Sequence, residues 1–445
     1  MLIVLLLDGA RSDVFDAPFA ERALPELARL RDEGGLHEIT TVFPSVTGPA
    51  YAPFLLGRHP APIGLPGLRW FDRERTRCRL PPYCRSYLGS EMRHVDGDLD
   101  PEAPTLFELA ASRFTAMSMI GRGAHGRDRL GRDPRLLWRI ARTHVRGDAR
   151  AWLDIDALVS SLARSHIDRH RPDVSFVALL GLDKVSHATG HHSPNARAAL
   201  DALDAFVGQL RCDLERANRW DDTSLWIVSD HGHSPVRAHD DLAAAVRGLG
   251  HRVLAHPWVF TPRADVAVMV SGNAMAHLYL EPARRAKPWW PALRGRWSGL
   301  AGALLDRPAV DIIVLPHGTR RFEVRSRAGT AFVERDGSRF AYRPASGDPL
   351  GLGEPPPLDG VEAHDASRGT NYPDALVQIA SLCGTPRAGD IIVSAAPGWD
   401  FRARYEPIPH VSTHGALHRE HMLVPLLVNR ATARPPRRTV DVMPS

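Results

Sequence analysis

The run "LIVLLL" at residues 2–7 is apolar at every position and stops on an acid, Asp8. A strand buried on both faces reads this way, because neither side of its pleat meets water. Four more runs of the same kind follow: "FTAMSMI" at 114–120, "VSFVALL" at 174–180, "SLWIVS" at 224–229 and "DIIVSA" at 390–395. Between them, apolar residues spaced by three and four predict helices near 24–33, 48–56, 104–113, 151–169 and 194–217. That alternation predicts an α/β fold with a mostly parallel central sheet and helices on both faces. In such sheets the reactive groups gather beyond the carboxyl ends of the strands.

Three stretches depart from the pattern. Residues 59–100 are rich in Pro, Gly, Arg and aromatics without a helical period, and are expected to form a loop or cap. Residues 309–344 alternate in period two around "RAG" and "DGS", which predicts a small antiparallel insertion. The closing "RPPRRTVDVMPS", 434–445, reads as a surface tail, leaving 1–433 as one domain. With 445 residues, 44% of them hydrophobic, there is ample material for a core of that size.

The formal charge of +5 is carried almost wholly by arginine, since Lys184 and Lys287 are the only lysines. The charge is dispersed, which suits a small anionic substrate and argues against binding of duplex nucleic acid. Cys78, Cys84, Cys212 and Cys383 lack zinc-ribbon or redox spacing; free thiols are the plainer expectation, though Cys78 and Cys84 are close enough to pair. No apolar run reaches the length of a membrane span, and the opening run is too short for a secretion signal. A cytoplasmic protein is the expectation.

Acids and imidazoles recur just after the apolar runs. Asp8 closes the first; Asp183 follows the third, with His187 four residues on; Asp230 and His231 follow the fourth; His414 precedes a final apolar run. Taken singly, each has an ordinary reading as a helix cap, a turn residue or an i,i+4 pair. Six such groups on the side of the sheet where sites lie strain that reading, and carboxylate with imidazole is a ligand set suited to zinc, with manganese or iron as alternatives. Thr47, in "TTVFPSVTGPAYAPFLLGR", sits where an extended run gives way to an apolar helix-like one. Its hydroxyl is either an N-cap or a nucleophile beside such ions.

The motifs "LLLDGAR", "FPSVTGPAYAPFLLGRHP", "LDKVSHATGHHSP", "VSDHGHSP" and "STHG", in this order, resemble the alkaline phosphatase superfamily. The likeness is greatest to its type I phosphodiesterase/nucleotide pyrophosphatase branch. The resemblance implies an alkaline phosphatase-like three-layer sandwich holding two divalent metal ions. One ion would sit on Asp183, His187 and His414, the other on Asp8, Asp230, His231 and the Thr47 oxygen. It further implies a small-molecule phosphate ester as substrate and a covalent phospho-enzyme on Thr47. Arg122, in "IGRGAHGRD", and His191 are the candidate substrate contacts, set against a surface-loop arginine and a solvent-facing histidine. The arginine-rich 69–79 stretch reads equally as a substrate lid or a solvated loop, and His233, His418 and His421 as supports for the metal motifs. A phosphomonoesterase on the same site, or a metal-binding homologue without activity, are the competing functions.

Overall fold

The computed structural model describes residues 1–74, 84–257, 260–402 and 410–443. Leu2–Leu7 lies at the centre of a seven-stranded sheet, parallel to Val174–Leu179 on one side and Ser224–Val228 on the other. Arg113–Ala116 and Arg129–Leu130 extend the parallel part. On the opposite side Leu423–Val428 and Gly35–Thr40 join, each antiparallel to its neighbour.

The all-apolar first strand divides its side chains between two cores. Ile3, Leu5 and Leu7 face Ile155, Val159, Leu203 and Phe206 from the helices Ala149–His170 and Pro194–Arg216. Val4 and Leu6 point the other way, into a core with Phe54, Trp70 and Phe176. Asp148 and Ser193 cap the two long helices by accepting from the backbone N–H groups of Ala151 and Ala196.

A second, eight-stranded sheet lies beside this one, with helix Trp290–Leu305 on one face and helix Ala375–Cys383 on the other. It takes in Ile391–Ala395, which the apolar pattern assigns to the parallel sheet; the strand instead runs antiparallel between Met275–Leu280 and Val310–Pro316. A run apolar at every position states that both faces are buried and is silent about its neighbours. The period-two stretch forms the antiparallel strands Val310–Pro316, Arg321–Ser326, Gly329–Asp336 and Arg339–Gly347, which complete this sheet.

Other boundaries shift for local reasons. The helix expected over 104–113 is one turn, Leu106–Leu109, closed by a Thr105–Glu108 capping box. The strand expected to reach residue 120 stops at Ala116, because Met117 takes a positive φ of 58°. In the 59–100 segment, Arg69–Phe71 pairs with Cys84–Ser86, and Trp70, Phe71 and Tyr87 are buried. The described part of that segment is therefore packed into the core; residues 75–83, including Cys78 and the 75–79 part of the arginine-rich stretch, lie outside the described residues. The terminal stretch is not a free tail either: Arg438 is buried against Asp374. Among the described residues no helix is long and apolar enough to cross a membrane.

Candidate active site

The parallel strands deliver their acids to one place. Asp8 follows Leu2–Leu7, and Asp230 with His231 follows Ser224–Val228. Asp183 and His187 lie on helix Gly181–Thr189, which begins directly after Val174–Leu179. His414 arrives from elsewhere, next to the short strand Ser412–Thr413, and is fixed by a bridge to Asn273 at the turn between two strands of the second sheet. All six are buried, four of them completely: Asp8, Asp183, Asp230 and His231 have 0% exposure.

Thr47 is the half-exposed member of the group. Its hydroxyl caps no helix: the N-cap position belongs to Gly48, at φ 91°, and the Pro49–Tyr51 turn has no side-chain cap. A side chain at Gly48 would also strike Met119, whose Sδ lies 2.6 Å from where a Cβ would stand. With the backbone turned this way, Thr47 Oγ1 sits 3.3 Å from Asp8 Oδ1 and 3.1 Å from His231 Nε2. Tyr51 donates to the other Asp8 oxygen, at 3.2 Å.

The donors fall into adjoining groups that fit divalent ions. Asp183, His187 and His414 form one, Asp8, Asp230 and His231 another, and Asp183, His231 and His233 a third that shares residues with both, with all ligand atoms in each within 4.8 Å of one another. Three histidines present the correct nitrogen. Nδ1 of His187 meets the Ser412 carbonyl at 2.8 Å, Nδ1 of His231 the Gly232 carbonyl at 3.1 Å, and Nδ1 of His414 the Ser45 carbonyl at 3.0 Å. A carbonyl only accepts, so each Nδ1 carries a proton, which leaves Nε2 as the nitrogen turned to the cluster and the one able to bind an ion. Asp230 Oδ2, buried and without a hydrogen-bond partner among the described residues, is an oxygen that a cation would satisfy. The residues present therefore fit the pair of ions that the motif resemblance implies.

The electrostatics of so many buried groups are uneven. Burial, and then the charge of Asp8, push Asp230 well above the usual carboxylate range. Burial alone would raise Asp183 too, but Lys184 and His187 outweigh it and hold that carboxyl well below its ordinary value. Burial opposes a charge on His231, yet Asp230 and Asp8 raise it to about 9. His414, buried beside His231, is driven well below the usual imidazole value.

Two expected substrate contacts fare differently. Arg122 is not brought to the site: its guanidinium is taken up by Glu108 at 3.1 Å, the Asp100 carbonyl at 3.0 Å and the Ala103 carbonyl. His191 stands beside the cluster, its Nε2 3.2 Å from Arg11, which also reaches the His233 carbonyl. Sequence reasoning passed over two functional neighbours. Lys184 was visible as one of only two lysines, and its Nζ lies 2.6 Å from Asp183 Oδ2. Asp156, in the middle of a long helix, gave no signal; it accepts from the backbone N–H groups of Leu180 and Gly181 at the start of the helix that carries Asp183 and His187.

Known proteins bear on this geometry. The fold is similar to that of phosphonoacetate hydrolase from Sinorhizobium meliloti 1021 in complex with phosphonoformate, at 15% identity and a TM-score of 0.59, covering 99% of this chain and 93% of that one. It is also similar to human ectonucleotide pyrophosphatase/phosphodiesterase 5, at 13% identity and a TM-score of 0.57, covering 99% and 91%. The murine form of that protein, in complex with AMP, gives 14% and 0.55 over 99% and 92%. No curated protein matches the sequence. Residues 2–288 match the type I phosphodiesterase/nucleotide pyrophosphatase family, well over half of the chain. The chain belongs to that family and is a phosphoric ester hydrolase of the phosphodiesterase/pyrophosphatase type.

Proposed function

We propose that the enzyme cleaves phosphodiester or pyrophosphate bonds of small molecules, with Thr47 as nucleophile and two divalent ions, zinc being the best match to the donors, as cofactors. The observation that carries this reading is the Thr47 hydroxyl, half-exposed over a floor of buried carboxylates and imidazoles, 3.3 Å from Asp8 and 3.1 Å from His231. Asp183, His187 and His414 would hold one ion, and Asp8, Asp230 and His231 with Thr47 Oγ1 the other. When bound, the ions supply positive charge that eases ionisation of the hydroxyl and offsets charge on the nonbridging phosphate oxygens.

Thr47 Oγ1 gives up its proton to solvent and attacks phosphorus, and an O–P bond forms as the bond to the leaving alcohol or nucleotide oxygen breaks. That oxygen takes a proton from solvent. Asp8 and Tyr51 act on orientation: Tyr51 holds one Asp8 oxygen, and the other holds the threonine hydroxyl toward the substrate. Water then attacks the phosphothreonine, releasing the phosphoryl product and restoring the hydroxyl. A diester fits better than a monoester. A monoester brings an additional negative charge; of its two candidate cation sources, Arg122 is already engaged elsewhere, and residues 75–79 of the arginine-rich stretch lie outside the described residues. The reading extends to a cytoplasmic setting, supported by Cys212 and Cys383, which are free thiols among the described residues.

The test is the initial rate on bis(p-nitrophenyl) phosphate and on p-nitrophenyl phosphate, for zinc-loaded wild type, chelator-treated wild type and Thr47→Ala. Diester turnover that chelation abolishes, and that Thr47→Ala lowers by about three orders of magnitude or more, is the expected result. Turnover of the monoester alone would shift the assignment to a monoesterase. Bound metal with no turnover of either ester would leave a non-catalytic homologue.

A further inference from the structure

The histidines around the site differ in what their second nitrogen meets. His187, His231 and His414 each turn Nδ1 to a backbone carbonyl. His233 instead turns Nδ1 to the Ser412 hydroxyl at 2.9 Å, a group able to donate. Its Nε2 lies 2.9 Å from Asp183 Oδ1, and an ionised carboxylate oxygen only accepts. The tautomer with the proton on Nε2 satisfies both contacts; the other would set a lone pair against the carboxylate. His233 is thus arranged as a donor where its three neighbours are arranged as ligands.

The surroundings are built for this contact. His233 is buried, and Gly9, at φ 78°, lies against it: a Cβ there would come within 2.8 Å of His233 Nε2 and 3.1 Å of Asp183 Cβ. Ser412 serves two rings at once, its carbonyl taking His187 Nδ1 and its hydroxyl meeting His233 Nδ1. The second Asp183 oxygen is held by Lys184. Both oxygens of this one carboxylate therefore have a fixed partner.

We infer that His233 is a positioning residue, donating from Nε2 to Asp183 Oδ1 and so fixing the carboxylate of the Asp183, His187 and His414 group for its metal ion. The inference rests on the metal-dependent reading above. A carboxylate held at both oxygens cannot rotate away from the ion, so the orienting bond strengthens the site.

The test measures Zn²⁺ affinity by chelator competition, and the visible spectrum of the Co²⁺-loaded protein, for wild type, His233→Ala, His233→Gln and Ser412→Ala. His233→Ala is expected to lose about 10–100-fold in affinity at one of two sites, with the other unchanged and the Co²⁺ spectrum altered for a single ion. His233→Gln, whose amide still donates, should recover most of the loss. Ser412→Ala, which frees Nδ1, should fall between. Circular dichroism melts confirm that each variant is folded. Two ions bound by His233→Ala with wild-type affinity would overturn the inference alone, as would a folded His233→Gln no better than His233→Ala. Wild type that takes up no divalent ion would overturn the metal-dependent reading and this inference with it.

Discussion

Asp230 shows what the site costs the protein when no cation balances it. Its carboxyl is fully buried, shares its surroundings with Asp8 and Asp183, and leaves Oδ2 without a partner. Each of these raises the free energy of the ionised form. Asp230→Asn removes one like charge while keeping the shape, so the chelated protein should become more stable, by about 1 kcal/mol or more. The same variant should lose most of the stabilisation that zinc confers, because one ligand is gone. Melting temperatures of both proteins with and without chelator decide it; a variant less stable than wild type in chelator would show that Asp230 is not strained. Such residues were legible in the sequence only as a set: an acid after one apolar run reads as a cap or turn residue, and it is six acids and imidazoles at the ends of such runs that strain that reading. Arg122 misled for a related reason. It too follows a strand, Arg113–Ala116, but sequence spacing does not reveal that Glu108 and two carbonyls are near enough to hold it.

At the scale of elements, the helix that carries Asp183 and His187 depends on another helix for its start. Gly181–Thr189 has no side-chain cap of its own. Asp156, on Ala149–His170, accepts from Leu180 N at 3.0 Å and Gly181 N at 2.7 Å, and a Cβ on Gly181 would come within 2.5 Å of that carboxylate. Asp156→Asn keeps one accepting oxygen, so a loss of about 1 kcal/mol is expected, on the scale of a lost cap. The pH dependence has a definite sign. Burial raises the Asp156 carboxyl to about 7 against the opposing pull of the two backbone bonds. Between the ordinary carboxylate value and about 7 the folded protein therefore holds a proton that the unfolded chain has lost. Its stability from this group falls as pH rises through that window and is level above it. Asn has no such term, so wild type should lose stability relative to the variant from pH 5 to pH 7, as read by denaturant titration at several pH values. Wild type gaining on the variant over that range would contradict the assignment. None of this was legible: Asp156 sits mid-helix, and its partners are 24 and 25 residues away. The long helices themselves were plain from their apolar spacing. The second sheet was not, because its strands find partners far along the chain, as Met275–Leu280 does with Ile391–Ala395.

Across the whole molecule, the terminal stretch is tied to the nucleophile's loop. Arg438 donates from Nε and Nη2 to the two oxygens of Asp374, both at 2.7 Å, with Arg438 only 7% exposed and Asp374 fully buried. Asp374 also accepts from Gln378 Nε2 at 2.7 Å, and Gln378 Oε1 accepts from the backbone N–H of Phe43, four residues before Thr47. An arginine-rich, proline-rich ending reads as solvated because its buried partner is 64 residues away. Removing only the cation leaves a buried carboxylate without its counter-charge, a loss of about 3–5 kcal/mol for a pair of this kind. Replacing both partners leaves no buried charge behind. Arg438→Met should therefore be strongly destabilised, and adding Asp374→Asn should restore part of the loss, a non-additivity that denaturant titration of the single and double variants measures. If the pair serves stability alone, the folded fraction of each variant keeps the wild-type kcat on a diester. If the link through Gln378 to Phe43 also sets the Thr47 loop, kcat per folded molecule falls in Arg438→Met and recovers with the stability in the double variant. The unbroken run of buried hydrogen bonds from Arg438 to Phe43 favours the second outcome. A kcat unmoved by either substitution would confine the role of the terminal stretch to holding the sheets together.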